Sequence, residues 1–250
     1  MRKEIKNNMS YIMVLVLCLI FIMSYGYEKE YYKDKKCSIN QKNVENIKVI
    51  QDDPTVATTS TNEFKKLVLV NKNKKIPEGY IVNLKSLNNK RNSVADFIYD
   101  DLSDMLTEGS NKGLSFWVAS GYRSSESQQN ILDETINENI NKGMTYEQAC
   151  KEATKLVMPA GYSEHETGLA LDITSSSYLN LDEKQENTEE NKWLRENCYK
   201  YGFILRYPKE KEKITGIDYE PWHFRYVGKE AAEYITKNRI TLEEYLEKTN

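Results

Sequence analysis

Only two histidines occur in the 250 residues, and each lies near a carboxylate in a segment with strand-like character. His165 belongs to SEHETGLALDIT (163–174), in which Asp172 stands inside an apolar run. LALDI alternates, so Asp172 and the small Ala170 share one face of a predicted strand. A buried carboxylate must be paired, hydrogen-bonded or bound to a metal, because an isolated buried charge is too costly. We therefore expect His165 to fold back towards Asp172.

The second histidine, His223, lies in YEPWHFRYVG (219–228). In the predicted strand WHFRYV, His223 and Arg225 share one face. Pro221 cannot donate to a sheet ladder, so Glu220 belongs to the loop that enters the strand. From that loop Glu220 can converge with His223 on one point.

Two histidines and one aspartate form a three-ligand metal site that leaves a fourth position open for water. Zinc bound in this way lowers the pKa of its water to about 7. A free carboxylate such as Glu220 would accept the proton and pass it to a leaving amine, which is the chemistry of a zinc peptidase. Taken separately, His165 is more typical of a surface histidine, Asp172 of a strand-end cap or turn, and WHFRYV of an amphipathic strand. The residues by themselves leave both interpretations open.

Three segments resemble the signature blocks of the VanY-type D-alanyl-D-alanine carboxypeptidases: SGYRSSESQ (120–128), SEHETGLALDI (163–173) and EPWHFRYVG (220–228). They occur in the order and spacing of that family, over roughly residues 64–235. The family belongs to the zinc peptidases that include VanX. Its broader fold class includes lysostaphin-like enzymes and the hedgehog signalling domain.

The resemblance implies roles for seven residues. Three would bind one Zn²⁺ ion: His165, Asp172 and His223. Glu220 would be the general base and proton shuttle. Arg123 would hold the substrate's carbonyl oxygen or terminal carboxylate and stabilise the developing oxyanion, a task that suits a planar guanidinium. Ser163 would contact the substrate carboxylate, and Gln129 would line the same pocket.

The implied reaction removes the C-terminal D-alanine from peptidoglycan stem peptides by attack of a zinc-bound water. An L,D-carboxypeptidase that trims tetrapeptide to tripeptide has the same three blocks, and a cross-bridge endopeptidase is a more distant alternative. A non-catalytic cell-wall-binding module that retains the fold is an alternative of a different class. Glu220 and Arg123 argue against that module, because a purely structural zinc needs neither.

Helices and short strands are mixed without a regular βαβ alternation. We therefore predict an α+β domain in which a small antiparallel sheet carries the zinc site and is flanked by helices. The predicted strands are KLVLV (66–70), 114–119, LALDI (169–173), FILRY (203–207) and WHFRYV (222–227). The predicted helices are 93–107 after a Ser93 cap, one from Ser124 or Ser125 to about Asn141, one from Thr145 with Gln148, one ending at Gly202, and two closing helices, the last with a Thr241–Glu244 capping box.

The N-terminus has the pattern of an export signal. Basic residues precede an apolar run, Tyr11–Met23, which is followed by the small-x-small sequence 24–26. That order is typical of a secretory signal peptide. The run is short for a membrane span, which needs about 20 residues, but extension to Tyr27 leaves an uncleaved anchor open.

We therefore predict three regions. Residues 1–26 are a signal peptide or N-terminal membrane anchor, 27–62 are a polar linker, and 63–250 are the zinc carboxypeptidase domain. The expected location is outside the cell, at the outer face of the cytoplasmic membrane or in the cell wall.

Composition limits the other partners. The net charge of −3 and the lack of a basic stripe with interleaved aromatics give no reason to expect nucleic acid. We expect a monomer. Cys37, Cys150 and Cys198 are too widely spaced for a disulfide framework or a zinc knuckle. Pairing of Cys150 with Cys198 and two free thiols both remain open.

Overall fold

A computed structural model describes residues 65–88 and 90–249 of the chain. The predicted leader (1–26) and linker (27–62) lie outside these residues. Within the described part, no helix combines the length and the apolar composition that crossing a membrane requires. Cys150 and Cys198 are both buried and free, so the disulfide alternative is not realised.

A four-stranded antiparallel sheet forms the centre of the fold, in the order β3-β4-β6-β5. Its strands are β3 (Phe116–Ser120), β4 (Ala170–Ser175), β5 (Phe203–Leu205) and β6 (His223–Tyr226). A separate two-stranded sheet joins β1 (Leu84–Ser86) to β2 (Ser93–Ala95). The predicted α+β fold with a small antiparallel sheet is confirmed.

Helices flank the sheet: α1 (Tyr99–Asn111), α2 (Ser125–Asn141), α3 (Tyr146–Ala153), α4 (Glu189–Asn197), α5 (Glu212–Thr215), α6 (Lys229–Asn238) and α7 (Leu242–Thr249). The predicted helix starts are confirmed where a side chain caps the helix. Ser124 accepts from the backbone N–H of Ser127 at the start of α2. Thr145 and Gln148 form a capping box at α3, as Thr241 and Glu244 do at α7. These starts were predictable because a cap involves only residues three positions apart.

The helix predicted to begin at Ser93 begins six residues later. Ser93–Ala95 is strand β2, and a 3₁₀ helix, Asp96–Ile98, leads into α1. The prediction is wrong at this end because the backbone of Ser93–Ala95 forms hydrogen bonds with distant segments instead of within a helix. β2 pairs with β1, and the Ala95 N–H donates to the carbonyl of Gly168.

The strand predicted over 66–70 is also absent, although Val68 and Val70 are buried in the core. The Arg225 guanidinium donates to the carbonyl oxygens of Lys66 and Val68 at 3.1 and 2.8 Å. A side chain thus satisfies these backbone acceptors in place of a neighbouring strand.

One face of the central sheet is apolar and the other carries the polar groups. Leu169, Leu171 and Ile173 of the β4 region pack with Leu102 and Met105 of α1 in the main core. Because side chains alternate along a strand, the residues between them point to the opposite face. That second face is available for a functional site.

Gly168 shapes the turn that leads into β4. It ends the 3₁₀ helix Glu164–Thr167 with φ 72°, and a Cβ at this position would lie 3.0 Å from the backbone nitrogen of Ala95. Gly113 serves as the comparison, because its φ is also positive (86°) but nothing lies within 4 Å of a Cβ built there. We expect Gly113→Ala to lower the free energy of unfolding by about 1–2 kcal/mol. Gly168→Ala should lower the free energy of unfolding by at least about 1 kcal/mol more, because the backbone of Ala95 in strand β2 must also move. Denaturant unfolding measures the difference, and equal losses would show that Gly168 is needed only for its φ angle.

Candidate active site

Strands β4 and β6 bring the two distant motifs together. Their register places Asp172 directly opposite His223. His165 reaches the same point from the 3₁₀ helix Glu164–Thr167, which precedes β4. All three side chains are buried, and their candidate ligand atoms lie within 4.8 Å of one another. The structure therefore assembles the three predicted metal ligands into one cluster.

The two imidazole rings present different nitrogens to this cluster. His165 Nε2 lies 3.3 Å from Asp172 Oδ2, whereas its Nδ1 lies 2.8 Å from the carbonyl oxygen of Gly121. A carbonyl only accepts, so Nδ1 carries the proton and Nε2 is left as the ligand atom. In His223 the order is reversed, because Nδ1 lies 3.2 Å from Asp172 Oδ1 and Nε2 faces Glu164 Oε2 at 3.5 Å.

The electrostatics of the cluster fit a cation. Burial would raise the pKa of Asp172, but His165 and His223 hold it below its usual range. Burial lowers the pKa of His165, which favours the neutral, ligating imidazole. For His223, burial lowers the pKa, yet the neighbouring carboxylates of Asp172 and Glu164 outweigh burial and raise the pKa to about 9.

The buried Asp172 carboxylate has one oxygen without a hydrogen bond. Within the described residues, Asp172 Oδ1 makes none, although His223 Nδ1 lies 3.2 Å away. An ionised carboxylate with an unsatisfied oxygen and two imidazole nitrogens form an N,N,O donor set, which fits zinc.

Glu220 lies beside the cluster without belonging to it. Its Oε2 is 3.5 Å from His223 Nδ1, and its backbone N–H donates to the carbonyl of Tyr207. Burial raises the pKa of Glu220 to about 7, and the nearby Asp172 carboxylate adds to the effect. A carboxyl group in this position can take up and release a proton near neutral pH.

Arg123 approaches the cluster from the end of β3. Its Nη2 donates to Asp172 Oδ2 at 3.0 Å, and its Nε donates to Ser120 Oγ at 2.9 Å. Its Nη1 donates to Gln128 Oε1 at 3.3 Å. The guanidinium is thus held in one orientation and remains 21% exposed, so a ligand can reach it.

These residues share a cavity of about 300 Å³. The cluster, Glu220, Arg123 and Ser163 line it, as the sequence predicts for all of them. Apolar side chains form much of the remaining wall: Ile131, Leu156, Val157, Met158, Leu181, Ile217 and Trp222. The cavity therefore combines a polar end with an apolar wall, which suits a small peptide ligand.

A family model described as VanY, D-alanyl-D-alanine carboxypeptidase, matches residues 91–229. This range contains the whole metal cluster together with Arg123 and Glu220. The chain belongs to the VanY family.

Two curated VanY relatives show how far the similarity extends. A D-alanyl-D-alanine carboxypeptidase of Enterococcus faecalis strain V583 is 44% identical over 181 residues, which cover 72% of this chain and 65% of the relative. The putative carboxypeptidase YodJ of Bacillus subtilis strain 168 is 49% identical over 150 residues, which cover 60% of this chain and 52% of the relative. The chain thus spans between about half and two thirds of the length of these relatives.

Solved structures show the same fold. A variant of the vancomycin-resistance D,D-pentapeptidase VanY in complex with Zn(II) superposes with a TM-score of 0.66 and 42% identity, covering 73% of this chain and 99% of that chain. VanYB in complex with D-alanine-D-alanine superposes with a TM-score of 0.67 and 43% identity, covering 73% of this chain and 97% of that chain. The LD-carboxypeptidase LdcB superposes with a TM-score of 0.62 and 38% identity, covering 74% of this chain and 87% of that chain.

For one site residue of this VanY-family chain, the prediction is wrong by a single position. Gln129 is not among the residues that line the cavity, and its amide donates to Asp133 on the outer surface of α2. Gln128 lines the cavity instead, and its Nε2 donates to the carbonyl of Met158 at 2.7 Å. Adjacent residues on a helix point about 100° apart, so only one of the two can face the cavity. The buried Leu132, four residues further on, marks the face of Gln128.

The two glutamines make a matched pair for mutagenesis. We expect Gln128→Ala to lower kcat/KM by about tenfold or more, because Arg123 loses a hydrogen bond to its charged group. Gln129→Ala should stay within about twofold of the unchanged protein, as is usual for surface positions. Steady-state kinetics on a D-Ala-D-Ala peptide measure both. Equal effects of the two variants would contradict this role of Gln128.

Sequence reasoning also missed Tyr207 and the carboxylate of Glu164. The Tyr207 ring lines the cavity and lies 4.8 Å from the His223 ring. Glu164 directly precedes His165 in the sequence, and its side chain is fully buried. A glutamate followed by a histidine carries no signal of burial in the sequence. Its burial becomes visible only through its partners, which lie more than 40 positions away.

Proposed function

We propose that this protein is a zinc-dependent D,D-carboxypeptidase that removes the C-terminal D-alanine from peptidoglycan stem peptides. The observation that carries the proposal is the convergence of the metal cluster with Glu220 and Arg123 in one cavity. Membership of the VanY family supports it, as do the neighbours solved in complex with Zn(II) and with D-alanine-D-alanine. We also propose that it acts outside the cytoplasmic membrane, which the signal-like pattern of residues 1–26 supports.

Zinc held by His165, Asp172 and His223 would supply a Lewis acid that activates water and polarises the scissile carbonyl. Glu220 lies close enough to the cluster to accept a proton from the attacking water. It then delivers that proton to the amine of the departing D-alanine. A carboxyl group with a pKa of about 7 suits both transfers, because acceptance and release have similar cost at neutral pH.

Arg123 supplies positive charge at the polar end of the cavity. Its fixed guanidinium donates to a substrate carboxylate or to the oxyanion that forms at the carbonyl. Its side chain remains partly exposed, unlike that of Asp172, so a substrate can compete for its N–H groups. Ser163 lies in the same lining and can donate to the same carboxylate.

A product assay with paired substrates tests the proposal. The full-length chain, supplied with zinc, is incubated separately with a muramyl pentapeptide and the corresponding tetrapeptide, and free D-alanine is measured. We expect D-alanine and tetrapeptide from the pentapeptide, with little further trimming. Turnover of the tetrapeptide alone would indicate an L,D-carboxypeptidase. Absence of product from both substrates and from wall fragments would overturn the enzymatic proposal in favour of a binding module.

A further inference from the structure

A buried network of four charges lies against the metal cluster. It consists of Glu164, Arg206, Arg225 and Glu243. Arg206 Nε and Arg225 Nη1 donate to the same oxygen, Glu164 Oε1, at 2.8 and 2.7 Å. Arg206 also donates two parallel hydrogen bonds to Glu243, at 2.9 and 2.6 Å. The side chains of Glu164, Arg206 and Arg225 are 0% exposed, and that of Glu243 is 10% exposed.

The network is balanced but leaves one oxygen unused. Two arginines and two glutamates sum to zero net charge, so neither sign is left uncompensated. Two guanidiniums donate to Glu164, as they do to an ionised carboxylate, and both converge on its Oε1 alone.

The remaining oxygen, Glu164 Oε2, faces a metal ligand. It lies 3.5 Å from His223 Nε2. Both atoms are buried, and neither makes a hydrogen bond with any other residue of the described part of the chain. A shift of roughly half an ångström brings them within hydrogen-bond distance. Since a carboxylate only accepts, that bond requires the proton of His223 to be on Nε2.

Arg225 lies in the same strand as His223, and Arg206 directly follows the neighbouring strand β5. Arg225 follows His223 by two residues on β6, and therefore lies on the same face. The backbone N–H of Arg206 donates to the carbonyl of His223 at 3.1 Å. The parts of the network are thus fixed relative to the ring that they would orient.

Stability alone does not explain such a network. Desolvation of buried charges offsets most of their attraction, and replacement by packed apolar residues is often neutral or stabilising. A structural network also has no need to direct an unused carboxylate oxygen at a metal ligand. In contrast, histidines that bind metals nearly always donate their second N–H to an oriented acceptor.

We propose that Glu164 is a positioning residue of the zinc site. It holds the His223 ring with the proton on Nε2, so that Nδ1 is directed towards Asp172 and the metal. Arg206 and Arg225 fix Glu164, and Glu243 of α7 balances the second arginine charge. This inference rests on the proposed zinc carboxypeptidase function and concerns that same site.

The test compares Glu164→Gln with Glu243→Gln in the full-length chain. Both variants remove one negative charge from the same network, but only the first alters the group that faces His223. Zinc affinity is measured by competition with a chromogenic chelator, and stability by denaturant unfolding of the metal-free proteins. We expect zinc binding to weaken by about 10- to 100-fold in Glu164→Gln and to change by less than about threefold in Glu243→Gln.

Nitrogen-15 NMR of the imidazole rings gives a second readout that does not depend on activity. The chain contains only two histidines, so a histidine-labelled sample without a histidine tag shows two rings. In the zinc-loaded protein we expect a proton on Nδ1 of His165 and on Nε2 of His223. The Nε2 proton of His223 should lose its carboxylate-bonded signature in Glu164→Gln, while His165 is unchanged. If Glu164→Gln does not fold, Glu164→Asp keeps the charge, withdraws the oxygen from His223 and should show the same losses.

The outcomes separate the inference from the function. Wild-type zinc affinity and an unchanged His223 ring in Glu164→Gln or Glu164→Asp would overturn the positioning role, while zinc-dependent turnover by the unchanged protein would still stand. Equal weakening in Glu164→Gln and Glu243→Gln would also overturn it, because the network would then act on structure alone. An unchanged protein that binds no zinc would refute the proposed function itself.

Discussion

Replacing Glu220 with glutamine is expected to lower kcat by about 10²- to 10⁴-fold while zinc stays bound. Glutamine has nearly the same shape as glutamate but cannot accept the proton of the attacking water. Zinc should be retained, because Glu220 lies beside the cluster and the three ligand residues are untouched. Kinetics on the muramyl pentapeptide, together with zinc content of the purified variant, measure both parts of the expectation.

The comparison variant is Glu196→Gln, which removes an exposed carboxylate on α4. Its kcat should equal that of the unchanged protein within about twofold, as for most surface substitutions. Unimpaired turnover by Glu220→Gln would show that another group moves the proton. Loss of zinc together with activity would instead place Glu220 among the ligands.

Removing zinc is expected to lower D-alanine release by at least about 10³-fold, and one equivalent of zinc should restore it. The cluster provides a single set of three ligands within the described residues, so one ion per chain should suffice. Asp172→Asn should remain inactive at one equivalent, because a neutral amide oxygen is a weaker ligand than a carboxylate and no longer balances Arg123. The readouts are zinc titration of the chelator-treated protein and the pentapeptide assay.

Asp218→Asn serves as the matched control, because Asp218 is exposed and does not line the cavity. It should regain activity with zinc as the unchanged protein does. Full activity after verified removal of all metal would contradict a metal-dependent reaction. Recovery of Asp172→Asn at one equivalent would remove Asp172 from the ligand set.

The sequence by itself determined the features that depend on neighbouring residues. The alternation in LALDI predicted which side chains of β4 enter the core, because successive residues of a strand point to opposite faces. The helix starts after Ser124, Thr145 and Thr241 followed from caps that join residues three positions apart. The resemblance of the three motifs to the VanY family indicated the residues of the metal cluster, the neighbouring carboxylate and Arg123. The leader and linker stay predictions, since they lie outside the described residues.

Only the tertiary structure decided the features that join distant segments. The register that sets Asp172 opposite His223 depends on how β4 and β6 pair, and the absent strand at 66–70 depends on the Arg225 side chain. The choice of Gln128 over Gln129 depends on the rotation of α2 against the cavity. The network around Glu164 joins residues 42 and 61 positions apart. Hydrophobic periodicity and helix caps cannot predict such contacts, because both arise from interactions between residues a few positions apart. The environment of a buried charge depends instead on the distant residues that the fold packs around it.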